Sequence, residues 1–234
     1  MIGRVLTIAL FAGLIAGIVV TGAQLLRVIP LIQKAEVYET SASADHHAHD
    51  ANSQGTAQAH SHDDDAWAPE DGLERTAFTL LANILTGVGF GLLLNGALAL
   101  YGRPVGLRDG ILWGLAGFAA FVLAPALGLP PELPGLNTAD LFDRQSWFLG
   151  TAIATAIGLA CLALASHWGI KAVGVVLIAV PHIIGAPHPA ELGGSTPPEL
   201  AAMFAIASLF TAAVLWIVLG GVSGYLHARY ARAG

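Results

Sequence analysis

Along the 234 residues, apolar runs alternate with short polar connections, and six of the runs approach the length that a bilayer demands. They cover about 5–29, 76–100, 110–127, 147–166, 170–185 and 200–226. A hydrocarbon core about 30 Å thick needs roughly 20 residues of helix. Backbone groups in lipid find partners only within their own segment, so runs this uniformly apolar are helices. The third and fifth runs are short and broken by Pro125 and Pro181. The pattern therefore predicts an all-α, polytopic membrane helical bundle, a single membrane domain over 1–234. It has six transmembrane helices, or five if the fourth and fifth runs form one broken unit. Arg4 ahead of an apolar run also fits a signal peptide, but the run outlasts an h-region and no small-x-small site follows it, which predicts an uncleaved first helix.

Composition agrees with that class. Charged residues make up 11% of the chain, against about 25% in soluble domains, and the mean hydropathy is +0.68. The few basic residues also carry direction. If six helices alternate, Arg4, Arg103, Arg108, Lys171, Arg229 and Arg232 all fall on one face. Lys and Arg are retained in the cytoplasm, so both termini are expected there. The polar segment 31–75 is then expected as an extracytoplasmic loop, on the face that also receives 128–144 and 186–199. The single cysteine, Cys161, lies inside the fourth run, where it has no disulfide partner in its own chain and reads as a small hydrophobe.

Segment 31–75 changes the picture from a bare bundle to one with metal chemistry. It holds His46, His47, His49, His60 and His62 among ten carboxylates. Over 41–65 it is almost without aromatic or β-branched residues, a composition expected to be disordered. Imidazole suits borderline metals such as Zn, Ni, Co and Cu, and Asp63, Asp64 and Asp65 add oxygen donors and negative potential. A solvated acidic linker would have the same composition. The segment ends in Trp67, Pro69, Glu70, Asp71, Gly72 and Glu74 at the mouth of the second helix. Asp71 is placed to cap that helix with Glu74 three residues on, yet a cap uses only one or two of the three carboxylates. Glu70, Asp71 and Glu74 therefore also stand as metal candidates.

A second cluster, from Pro181 through His182, Gly185 and Pro187 to His188 and Pro189, lies where a helix is interrupted. Broken backbone at membrane depth is tolerated where it faces protein or water, which is where transporters place ion sites. His182 and His188 are candidate ligands on that ground; a hydrogen bond to a neighbouring helix and a rigid surface turn are the plainer readings. Gln24, Asn83 and Asn95 are pathway candidates, or else interhelical hydrogen bonds. Gly13 and Gly17, Gly87 and Gly91, Gly110 and Gly114, and Gly220 and Gly224 have GxxxG spacing. That spacing suits close helix packing or an interface between copies of the chain. There is no Walker loop, dinucleotide fingerprint or HExxH, and nothing calls for an organic cofactor or nucleic acid. An intramembrane enzyme would have only His182 and His167 to work with.

These residues together resemble a known family, the predicted cobalt transporter subunit CbtA. The likeness runs from Gly3-Arg4-Val5 and Gly13 to Gln24, through Ala35–Glu39, the histidine-rich insert, Trp67–Thr76 and Leu85–Gly89. It continues through Leu112–Phe118, Leu123–Gly135, Asp143–Trp147 and Pro181–Pro189. The resemblance implies a small polytopic protein of the bacterial inner membrane that carries cobalt for corrinoid synthesis, acting with a short single-helix partner, CbtB. It also implies five helices rather than six. The expected function is thus a membrane transporter subunit for a divalent transition metal, with cobalt ion as substrate. The alternatives are nickel or zinc as the ion, and a metal-binding scaffold or sensor that moves nothing.

Overall fold

A computed structural model describes residues 2–38, 69, 72–191 and 193–232, and these are helical apart from their connections. Helix α1 is Ile2–Arg27, α2 Leu73–Tyr101, α3 Leu107–Ala126, α4 Leu141–Leu164, α5 Trp168–Ile184 and α6 Pro198–Arg232. Five are long and apolar enough to cross a membrane, whereas α5 has 17 residues and is the short one. All six expected runs are therefore helices, but the sixth crossing is not secured by length.

Several boundaries differ from the sequence reading, each for a local reason. The chain does not leave helix at 31. After a turn at Val28 it is helical again over 29–38, because Pro30 falls in a first turn where its missing N–H costs nothing. Leu31 and Ala35 are buried, and Glu36 pairs with Arg75 at the start of α2. Helix α4 begins six residues earlier than expected, since Asp140 accepts from the N–H groups of Phe142 and Asp143 at 2.9 and 3.3 Å and caps it. Helix α2 opens with Gly72, not Asp71, in the capping position; its φ of +106° is one that glycine adopts without strain. Inside α3, Pro125 has no N–H to return, and the helix widens to a π turn over Ala119–Leu123, where the Ala124 N–H reaches back five residues to the Ala119 carbonyl.

Helix α1 packs against α2 and α6, and α6 against α3; α2 also touches α6 and α3, so these four helices form one group, and the α4–α5 hairpin joins it through α3. Two seams are glycine-lined. A methyl group on Gly13 would come within 2.5 Å of the Val88 Cα, and one on Gly110 within 2.7 Å of the Gly224 Cα, so α1 meets α2, and α3 meets α6, backbone to backbone. Both pairs run antiparallel. Gly158 and Gly174 make a third such contact between α4 and α5. Small residues inside and large ones outside is the membrane pattern: Ala9, Ala12 and Ala16 of α1 are fully buried, while Leu6, Leu10 and Ile18 are more than half exposed. The larger core side chains gather at Trp216, which stacks on Phe121 and tilts against Phe90.

The directions of the helices put 2–4, 101–108, 164–171 and 227–232 at one end of the bundle. The opposite end gathers 28–38, 72–76, 127–147 and 181–198. The six basic residues singled out by the alternation thus share an end: the Arg4 guanidinium donates to the His227 carbonyl at 2.9 Å and lies over the Tyr230 ring.

Candidate functional site

At the other end, the last turn of α5 holds Pro181 and His182 and stops at Gly185, whose φ of +88° turns the chain away. The Pro181 carbonyl accepts from the Gly185 N–H at 3.0 Å and from the Trp147 indole Nε1 at 3.2 Å, which ties the end of α5 to the second turn of α4. Trp147 also meets the His182 ring edge-on, with centroids 5.9 Å apart. Together with Leu127, Gly128, Ala186 and His188 they line an open recess of about 320 Å³. Gly128, just past the end of α3, cannot carry a side chain, because a methyl group there would meet both the Trp147 ring and the Ala186 side chain.

The loops around the recess are fixed to each other. Leu136 bridges Gly194, the Asn137 N–H donates to the Gly193 carbonyl at 2.8 Å, and the Thr196 hydroxyl donates to the Pro134 carbonyl at 2.7 Å. Beside them, one turn ahead of Trp147, Arg144 holds Glu132 at 2.6 Å.

Within this frame His182 is half-buried, and its Nε2 is fully shielded with no hydrogen-bond partner. Leaving a buried polar nitrogen unpaired costs about 1–3 kcal/mol, so a group that completes its coordination is favoured there. His188, exposed, offers a second imidazole at the rim. No three His, Cys, Asp or Glu side chains are grouped to hold a metal among the described residues.

The remaining candidates fall elsewhere. Glu74 opens α2, and neither α1 nor α2 touches α4 or α5, so the described residues do not bring Glu74 to the two histidines. Glu70, Asp71, His46, His47, His49, His60 and His62 lie outside the described residues. Asn83 donates to Gln24 Oε1 at 2.7 Å and to the Thr21 hydroxyl at 3.0 Å, joining α2 to α1. Asn95 is fully buried and bonds the Gly91 carbonyl, the Ser223 hydroxyl and His227 Nε2 at 2.9–3.0 Å. The amides are thus engaged in helix-to-helix hydrogen bonds. Ser223 and His227 escaped the sequence reading, although their i, i+4 spacing in an apolar run is a sign of one polar face.

The family model described as "Probable cobalt transporter subunit (CbtA)" matches residues 2–228. No curated protein and no solved structure matches the chain. With a family match over nearly all of its length, laid on a bundle of apolar helices, this chain belongs to the CbtA family of probable cobalt transporter subunits.

Proposed function

We propose that the chain is the membrane-spanning subunit of a cobalt uptake system of the bacterial inner membrane, and that the ion is received at the recess of Trp147, His182 and His188. The observation that carries this is the shielded, unpartnered Nε2 of His182 beside a second imidazole at the end of a short helix that continues through Pro181. Ionisable groups at such depth mark ion pathways. Two imidazoles do not fill a coordination sphere, so waters that stay on the ion complete it. The family description as a subunit supports a partner, for which a small single-helix CbtB-like chain is the fit, and corrinoid synthesis is the use for the cobalt. The shared end of the six basic residues supports placing both termini in the cytoplasm and the recess outside.

The insert then acts ahead of the recess. Its five histidines and flanking aspartates raise the ion concentration near the outer face, and Glu70, Asp71 and Glu74 add an acidic approach at the start of α2. Nitrogen and oxygen donors also suit nickel and zinc, so competition between the three ions measures selectivity.

Cobalt accumulation in cells carrying His182→Ala is the test. Uptake should fall towards the level of cells lacking the protein, and uptake equal to wild type would sink the recess as the receiving site. Deleting residues 41–65 should lower uptake mainly at scarce cobalt; an unchanged dependence on concentration dismisses the capture role. Cobalt flux into proteoliposomes separates a transporter from a scaffold that only binds.

A further inference from the structure

Below the recess, two more polar groups are buried without partners. Thr151 is fully buried and Thr155 is 3% exposed, and neither hydroxyl has a hydrogen-bond partner. This is unusual within the chain itself. Thr7, Thr21, Thr76, Thr79 and Thr211 each return the hydroxyl to a backbone carbonyl of their own helix at 2.8–3.0 Å. Such back-bonding is the common way for a threonine to satisfy itself in lipid. Thr151 and Thr155 forgo it in a place where water is not at hand.

Their position gives the two hydroxyls a direction. Trp147, Thr151, Thr155 and Gly158 are spaced i, i+4, i+8 and i+11, which places them on one stripe of α4. Both ends of that stripe touch α5: Trp147 donates to the Pro181 carbonyl, and a methyl group on Gly158 would lie 2.7 Å from the Gly174 carbonyl. The threonines lie on this stripe between its two contacts with α5, on a helix that also packs against the π turn of α3, one and two turns deeper than Trp147 and the recess. At about 1.5 Å per residue, the four and eight residues from Trp147 put them about 6 and 12 Å below it, near the middle of a hydrocarbon core about 30 Å thick.

We infer that Thr151 and Thr155 are oxygen way-stations on the path of the cation, continuing the His182 recess inward along the seam between α4 and α5. The inference rests on the recess being where the ion enters. A hydroxyl has two lone pairs for a partly dehydrated divalent cation or for the protons of its bound waters. It carries no charge, so it holds the ion weakly enough to release it to the next site, as conduction requires. The sites thus grade from imidazole at the mouth to hydroxyl at depth. Gln24, Asn83 and Asn95 are engaged in bonds between helices, whereas these two oxygens are unengaged.

The test is the double variant Thr151→Val, Thr155→Val, which keeps shape and removes both oxygens, assayed in purified protein and in proteoliposomes loaded against external cobalt. Flux should fall by roughly tenfold, the change that losing about one net hydrogen bond at the barrier brings, while equilibrium cobalt binding stays at the wild-type level. Thr151→Ser with Thr155→Ser should restore flux. A merely structural pair of hydroxyls predicts the reverse, because replacing unpaired buried oxygens by methyl groups raises thermal stability and leaves flux alone; that result overturns the inference. The parent reading fails separately: His182→Ala with unchanged cobalt binding removes the recess, whatever the threonines do.

Discussion

Asn95 shows what a single buried amide does in this bundle. It joins α2 to α6 through the Ser223 hydroxyl and the His227 imidazole, and its own second proton goes to the Gly91 carbonyl. In Asn95→Leu the serine and the histidine would both be left without that partner inside the protein. We expect a loss of about 1–3 kcal/mol, read as a lowered unfolding midpoint in detergent. A midpoint equal to wild type would mean that the network contributes nothing. Asn83→Leu should cost less, since its site is half-buried and water can replace the amide. The sequence marked Asn95 and His182 readily, because a polar side chain in an apolar run stands out. It could not mark the unpaired state of Thr151 and Thr155: threonine is common in membrane helices, and whether its hydroxyl turns back to the backbone depends on packing.

Among the elements, the glycine seams decide which helices touch. The GxxxG spacing was plain at four places in the chain, but the same spacing at each left the pairing open. Only the fold shows Gly13 and Gly17 against α2, and Gly110 and Gly114 against α6. Gly110→Leu should force α3 from α6 and destabilise the protein by about 1–3 kcal/mol or more, as overpacking does. Gly96 is the control, with open space around it; Gly96→Ala should be neutral or gain up to about 1 kcal/mol from helix propensity. Thermal unfolding of the two variants in one detergent makes the comparison, and equal midpoints would refute the seam as a backbone contact. Helix ends were less readable than helix cores. The start of α4 depended on Asp140 as a cap, and the continuation over 29–38 on a proline in the one turn that tolerates it.

For the whole molecule, the open question of five or six crossings becomes geometric. Helix α5 runs back along α4 from the 165–167 turn to the level of Trp147, so the hairpin ends near where it began. We expect a reporter inserted at 165–167 and one fused after residue 232 to be cytoplasmic alike. A periplasmic signal at the C-terminus would overturn the orientation, and one at 165–167 would show that the hairpin does not cross.

The short α5 has a mechanical meaning. At about 1.5 Å per residue its 17 residues span about 26 Å, while α6, with 35 residues, spans about 52 Å. If α5 crosses as proposed, lipid thinning, snorkelling of flanking residues or pairing with a partner must take up its short span, whereas α6 tilts or stands proud of the bilayer. On that crossing we expect the membrane around this protein to be of uneven depth. It should be shallowest beside the histidines, where headgroups and water would be drawn inward and the insulating layer facing an arriving ion would be at its narrowest.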